Sequence, residues 1–89
     1  MIQGFADAKT EALFEKKQVI KIPVELATQA ARRLAYLHAA TRIEDLYRPP
    51  SNGFHKVGKR FAIKVNAQWR ITFSWTLSGP ADVLFEDYH

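Results

Sequence analysis

Three side chains that can carry protons lie next to one another late in this sequence. Asp87 supplies a carboxylate, Tyr88 a phenol and His89 an imidazole. Carboxylates and imidazoles act as general acids and bases near neutral pH, and a tyrosine ring can stack on a nucleobase or orient one. Because Val83 and Phe85 predict a strand just before this group, we expect His89 to be held near a sheet rather than to be frayed.

The positive charges that could serve such a group are gathered in one stretch. Between Asp45 and Asp82 the sequence has no acidic residue, and the formal net charge of the chain is +4. Six basic residues lie inside this stretch: Arg48, Lys56, Lys59, Arg60, Lys64 and Arg70. Such one-sided clustering is the electrostatic footprint of a nucleic-acid binder. By charge alone, a solvated basic surface or a docking face for an acidic protein fits equally well.

The residues around Arg70 predict a tight β-hairpin whose register can be derived. Apolar and polar residues alternate on both sides of a connection at 66–68. A one-residue slip would turn every side chain to the other face, so the register must pair apolar residues with each other. That register places Lys64 directly across from Arg70, with Arg60 further along the same face. Like charges facing each other across strands are unfavourable without an anion between them, so we predict a phosphate-binding surface. The apolar pairs are Val65 with Trp69, Ile63 with Ile71 and Phe61 with Phe73.

Together these groups fit the cleavage of RNA without a metal ion. That reaction needs a base for the 2′-hydroxyl, positive charge for the phosphorane-like transition state and an acid for the leaving 5′-oxygen. Asp87 and His89 are the candidate proton carriers, with His55 as a third. The candidate sources of positive charge and phosphate contacts are Arg70, Lys64, Arg60, Lys59 and Lys56.

Other chemistries have weaker support. Asp87 and His89 form an i, i+2 pair on one strand face, but no third metal ligand stands at a telling spacing, and we predict no metal or cofactor. The chain has no cysteine, which excludes disulfides and thiolate metal sites. No nucleophile-elbow motif surrounds any serine. His38 fits a structural role near a helix C-terminus, whereas a surface role and a catalytic role fit His55 equally.

The elements that must position these residues form one domain, 1–89, of class α+β. A first helix is predicted from a cap at Asp7 or Thr10 to about Lys17, and a second from about 24 to 40. Helices followed by an antiparallel sheet are typical of α+β domains. The predicted buried stripe of the second helix is Ala27, Ala30, Ala31, Leu34 and Leu37. Strands are predicted at about 1–5, 54–57, 60–66, 69–76 and 81–88.

The hydropathy of the chain predicts a cytoplasmic protein. No early apolar run resembles a signal peptide, and no stretch approaches the roughly 20 residues that a membrane span needs. We therefore predict no membrane association.

Several motifs, in the same order and over nearly the whole chain, resemble the HigB toxins of type II toxin–antitoxin systems, in the RelE/ParE superfamily. The Asn-x-Gln-Trp-Arg hairpin and the Asp-Tyr-His motif are the most specific of them. The motifs are Gly4-Phe5-Ala6-Asp7, Thr10-Glu11-Ala12-Leu13-Phe14, Ala39-Ala40-Thr41 with Glu44-Asp45-Leu46, Pro49-Pro50-Ser51-Asn52, Ile63-Lys64-Val65-Asn66-Ala67-Gln68-Trp69-Arg70-Ile71 and Asp87-Tyr88-His89.

The resemblance implies a RelE-like fold, with two N-terminal helices on a twisted antiparallel sheet. It further implies a ribosome-dependent endoribonuclease that cuts mRNA in the decoding site and is silenced by a HigA-type helix-turn-helix antitoxin. By that match the active-site positions are taken by Arg70, Asp87, Tyr88 and His89. The family's longer Leu-x-Gly-Asp-Arg-x-Gly-like run is cut here to residues 55–60 without the Asp-Arg pair, so Lys56 and Lys59 both remain candidates for the family lysine.

Two alternatives come from other functional classes. One is a ParE-like toxin of the same fold that poisons DNA gyrase by binding, without cutting RNA. The other is a non-catalytic module that binds RNA or protein. Arg70 together with the Asp-Tyr-His motif is the discriminating feature, because a pure gyrase binder has no evident use for it.

Overall fold

The alternating residues of the second half of the chain form a meander of four antiparallel strands. The computed structural model describes residues 1–88, and its sheet order is β1-β2-β3-β4. Two helices, α1 (Ala8–Phe14) and α2 (Val24–Ala39), precede the sheet, so the predicted α+β architecture is confirmed. The strands are β1 (His55–Val57), β2 (Arg60–Lys64), β3 (Trp69–Thr76) and β4 (Gly79–Asp87).

The predicted hairpin register between β2 and β3 is confirmed. Ile63 lies opposite Ile71, and Lys64 lies opposite Arg70. The connection is closed by the side chain of Asn66, whose Oδ1 accepts hydrogen bonds from the backbone N–H groups of Gln68 and Trp69, both at 2.8 Å. An asparagine that bonds to the backbone two residues on is a common turn former, which explains why the chain reverses here.

The two helices cover one face of the sheet, and the apolar residues of that face form the core. On α2 the predicted stripe is confirmed at Ala30, Leu34 and Leu37, which are fully buried. Ala27 and Ala31 are only half-buried, because they line a groove between the helices. The buried residues that the strands contribute to the core are Ile63, Ile71, Phe73, Val83 and Phe85, and Val65 of the hairpin connection joins them.

A buried threonine joins α1 to the last strand. Asp7 caps the helix by accepting from the Thr10 backbone N–H at 2.8 Å and from its hydroxyl at 2.6 Å. The same Thr10 hydroxyl accepts from the backbone N–H of Phe85 at 3.0 Å, a contact between residues 75 positions apart. The predicted cap at Asp7 is therefore confirmed, although the helix ends at Phe14 rather than near Lys17.

The predicted strand at 1–5 does not form as a strand. Its residues run parallel to β4 and make an isolated bridge between Phe5 and Val83, with a further backbone bond from Gln3 N to Pro80 O at 2.8 Å. The ladder is interrupted because β4 contains a bulge beside Asp82, whose backbone is left-handed at φ 51°. A bulge disrupts regular pairing locally, so this segment follows the edge without a continuous ladder.

Two short 3₁₀ segments, Ile43–Tyr47 and Pro50–Asn52, link α2 to the sheet. The buried Asn52 ties them together: it accepts from Arg33 and donates to the carbonyl of Leu46 at 3.3 Å. Asp45 caps the first segment by accepting backbone N–H bonds, which hold the pKa of its carboxyl below the ordinary value.

His38 takes the structural role predicted for it. Its Nδ1 accepts from the backbone N–H of Ile2 at 3.1 Å, and its ring packs on Phe14 with centroids 5.0 Å apart. Because Nδ1 accepts a hydrogen bond, the imidazole is fixed against the N-terminal segment. In residues 1–88 no helix is long and apolar enough to span a membrane.

Candidate functional site

The sheet face that points away from the helices, called here the outer face, carries a cluster of polar and charged side chains. Residues that are directly opposite in an antiparallel pair project to the same side of the sheet. The pairs Lys64–Arg70 and Arg70–Glu86 therefore place three charged residues in a row across β2, β3 and β4. Arg60, Thr72 and Ser74 complete the cluster through hydrogen bonds.

Arg70 lies at the centre of this row and is largely covered by its neighbours. Its side chain is 19% exposed, and its Nη2 lies 3.4 Å from the Glu86 carboxylate. The guanidinium carbon is 5.1 Å from the centre of the Tyr88 ring, within the range of a cation–π contact. Arg70 Nε is buried and has no hydrogen-bond partner among the described residues. The structure thus brings together two of the four predicted catalytic residues, Arg70 and Tyr88.

Glu86 is the residue of this cluster that sequence reasoning missed. Glu86 supplies an anion beside Arg70 on its β4 side, whereas the phosphate that the sequence predicted would lie between Lys64 and Arg70. A signal for it was available: Val83 and Phe85 point into the core, so alternation places Glu86 and Tyr88 on the outer face. Its position opposite Arg70 depends on the bulge, which shifts the β3–β4 register by one residue. Without that shift Arg70 would lie opposite Phe85.

Arg60 makes hydrogen bonds to other residues of the protein, whereas the sequence predicted that it contacts a phosphate. It donates to Ser74 Oγ at 3.1 Å, to Thr72 Oγ1 at 3.3 Å and to the Asp82 carbonyl at 2.7 Å. The bond to the Asp82 carbonyl joins its guanidinium to the bulge, and the other two join it to β3. The neighbouring Lys64 is exposed, and its stem lies beside Gly53, where an added Cβ would come within 3.1 Å of Lys64 Cβ; the left-handed backbone of Gly53 (φ 56°) also favours glycine. Of the two cations, Lys64 is the one presented to solvent.

The remaining basic candidates surround β1 and do not all share the outer face. By the register of β1 and β2, His55 lies opposite Ala62 on the outer face, whereas Lys56 lies opposite Phe61 on the other side. Lys59 occupies the exposed turn between the strands. His55 is exposed, and its Nδ1 is 2.7 Å from the Gly53 carbonyl. The structure therefore places His55 with the outer-face cations and separates Lys56 from them.

Asp87 and Tyr88 lie on opposite sides of the end of β4. Asp87 pairs with Trp69 on the helix side of the sheet, and its carboxylate accepts from Gln68 Nε2 at 2.9 Å. The backbone N–H of Tyr88 donates to the Gln68 carbonyl at 2.8 Å, which fixes the end of β4 against the hairpin connection. The fourth predicted catalytic residue, His89, lies outside the described residues.

Arg70 and its polar neighbours lie on the outer face, apart from an apolar groove between the helices. The groove, of about 620 Å³, lies between α1, α2 and their connector, and the described residues that line it include no histidine, arginine or carboxylate. The groove is lined by apolar side chains together with Lys16, Lys17, Gln18 and Thr28, and none of the predicted site residues that the structure describes lines it. Within residues 1–88 there is also no group of three or more His, Cys, Asp or Glu placed to hold a metal ion.

Two comparisons with known proteins bear on this arrangement. The family model described as the RelE-like toxin of type II toxin–antitoxin system HigB matches residues 3–89. A protein of Proteus vulgaris, Endoribonuclease HigB, is 34% identical over 93 residues, and the comparison covers 100% of both chains.

Proposed function

This chain belongs to the HigB-like toxins of type II toxin–antitoxin systems, and we propose that it stops translation by cutting mRNA on the ribosome. Membership of the family makes it a toxin that is paired with an antitoxin, and the Proteus vulgaris relative supports an endoribonuclease that acts on mRNA. The observation that carries the proposal is the position of Arg70, half-buried between Glu86 and the Tyr88 ring on a cationic sheet face.

The proposed reaction is attack of a ribose 2′-oxygen on the adjacent phosphorus atom. A base removes the 2′-hydroxyl proton, the new P–O bond forms, and the bond to the 5′-oxygen breaks as an acid gives that oxygen a proton. Arg70 stabilises the additional negative charge on the phosphate oxygens, which is the largest single contribution in many reactions of this kind. His89 is a proposed proton carrier. Asp87, which lies on the helix side at the end of β4, is proposed either to carry a proton or to orient His89, and Tyr88 to orient or stack on a base.

Dependence on the ribosome is supported by the shape of the site. The helices cover the other face of the sheet, and neither Arg70 nor Tyr88 of the outer face lines the groove between the helices. A small open surface gains little binding energy from RNA alone, so a larger partner must hold the substrate in a reactive geometry. The decoding site of the ribosome is the proposed partner, and the cytoplasm is the proposed location.

The test of this function is cleavage in a reconstituted translation reaction. We expect mRNA to be cut when ribosomes translate it and naked mRNA to be cut at least tenfold more slowly, because the ribosome supplies the positioning. The control is the same mRNA on ribosomes stalled before the first codon. Intact mRNA together with DNA breaks and inhibited gyrase would instead support the ParE-like alternative. Equal cleavage of naked and translated mRNA would contradict ribosome dependence.

The antitoxin is proposed to be a HigA-type helix-turn-helix protein encoded beside this chain. Expression of the toxin alone should then arrest growth, and co-expression of the neighbouring frame should restore it. Unchanged arrest in the presence of that neighbour would contradict this choice of partner without affecting the assignment of the toxin.

Lys64 is proposed to bind a phosphate of the ribosome-bound RNA. Replacing Lys64 by alanine should weaken binding to ribosomes and reduce the slope of log affinity against log salt by about 0.7, because one phosphate is no longer neutralised. The slope is measured by binding at several salt concentrations, with the exposed Lys21 changed to alanine as the matched control. Equal slopes for the Lys64 variant and the wild type would show that this cation is only solvated.

A further inference from the structure

A continuous line of hydrogen bonds crosses the outer face from the bulge to Arg70. Arg60 donates to the Asp82 carbonyl and to the Thr72 hydroxyl, and that hydroxyl donates to Glu86 Oε1 at 3.0 Å. The other carboxylate oxygen, Glu86 Oε2, accepts from Arg70 Nη2 at 3.4 Å. Both oxygens of one carboxylate are therefore used, one to anchor it and the other to hold an arginine.

A carboxylate at this place needs an explanation, because it opposes the binding of RNA. Glu86 is the acidic member of a row that otherwise carries Lys64 and Arg70, and its side chain is 33% exposed. Its negative charge repels a phosphate that approaches the same arginine. A role in phosphate binding is thus excluded for Glu86 on electrostatic grounds, whereas a role in fixing Arg70 agrees with every contact that it makes.

We propose that Glu86 is a positioning residue, which holds the guanidinium of Arg70 at the Tyr88 ring in the orientation that the reaction requires. This inference rests on the proposed function of Arg70. Arginine has five N–H donors in a rigid fork, so the contacts with Glu86 and with the Tyr88 ring restrict the orientation of the group and leave other donors for a phosphate. Arg70 Nε is buried, so the donors left for a phosphate are those on the terminal nitrogens of the guanidinium.

The bulge at Asp82 contributes to the positioning of Arg70. It shifts β4 by one residue so that Glu86, and not the apolar Phe85, lies opposite Arg70. Arg60 binds the carbonyl of the bulged residue and, through Thr72, the carboxylate. The role of Arg60 then differs from the phosphate contact that the sequence predicted: it acts on Arg70 through Glu86.

The test is the variant Glu86→Gln, with cleavage and binding measured separately. The amide keeps an oxygen for Thr72 but loses the charge that holds Arg70. We expect kcat to fall about 10- to 100-fold, because a misplaced catalytic group costs rate in that range. Binding to translating ribosomes should stay equal or become tighter, because a repelling charge has been removed. If Glu86 only supported the fold, its replacement would not lower kcat while leaving binding to ribosomes equal or tighter.

Glu44→Gln is the matched control, because it makes the same change of charge at an exposed residue that pairs with Arg42 at 3.7 Å, away from the outer face. It should leave kcat and KM unchanged. Thr72→Val is a second variant, close in shape, which removes the hydroxyl that anchors Glu86 and keeps every charge. It should lower kcat without tightening binding, and thermal unfolding verifies that each variant is folded.

Two results would overturn the inference. One is an unchanged kcat in folded Glu86→Gln, and the other is weaker binding of that variant to translating ribosomes. Arg70→Ala distinguishes this failure from failure of the proposed function. If Arg70→Ala is inactive while Glu86→Gln is fully active, only the positioning role is wrong. If Arg70→Ala itself is fully active, the proposed site is wrong.

Discussion

Replacing Arg70 by alanine is expected to lower the rate of mRNA cleavage by about 10²- to 10³-fold while the protein stays folded. Removal of one charge-stabilising donor from a preorganised site has an effect of this size. The fold should survive because the Arg70 side chain lies on the outer face, outside the core cluster that the helices cover. The measurement is the single-turnover rate on programmed ribosomes at saturating protein.

Two further variants test whether the loss of rate is specific to the guanidinium group at position 70. Arg70→Lys keeps the charge but lacks the planar fork, so it should restore only part of the rate. Arg32→Ala removes an arginine from the exposed surface of α2 and should have no effect on cleavage. A wild-type rate for Arg70→Ala would remove the central residue from the proposed mechanism.

The second large effect is expected at His89. Changing it to glutamine should reduce cleavage by about 10²- to 10⁴-fold, because a general acid or base contributes that much. A residue that follows the last strand of a sheet supports little core packing, so folding should be unaffected. The readouts are cleavage on translating ribosomes and growth arrest on expression without the antitoxin.

His55→Gln is the comparison variant for His89, because His55 is the third candidate proton carrier. His55 is also an imidazole, it lies on the outer face by register, and its Nδ1 contacts the Gly53 carbonyl. If His55→Gln abolishes cleavage and His89→Gln leaves it unchanged, the proton carrier is His55. If neither variant changes the rate, the proton transfers must be assigned to Asp87 and other groups.

The hairpin at the centre of the site could be predicted because two independent requirements agree there. The alternation of apolar residues and the Asn66 turn permit one register, and that register places Lys64 opposite Arg70. Arg70 and Tyr88 could be nominated as site residues, and their contact is observed. Local pattern determines pairing wherever one face of a strand must be buried.

The β3–β4 pairing could not be predicted in the same way, because no residue type marks the bulge in the sequence. Asp82 adopts a left-handed backbone, which aspartate tolerates but does not require. The resulting shift of one residue decides which side chain lies opposite Arg70, and so Glu86 was missed. The separation of Lys56 from the outer face had a similar cause, since a strand of three residues carries too little alternation to define its faces.

The contact between Thr10 and Phe85 has a consequence for the synthesis of this protein. It joins residues 75 positions apart, and β4 also carries Glu86, which contacts Arg70. Contacts of such long sequence separation form late, and chains fold from the N-terminus as they are synthesised at roughly 5–20 residues per second. A nascent chain without β4 therefore lacks both the hydrogen bond between Thr10 and Phe85 and the cluster around Arg70. A ribosome that has not yet synthesised β4 is therefore not exposed to an assembled toxin from the same chain.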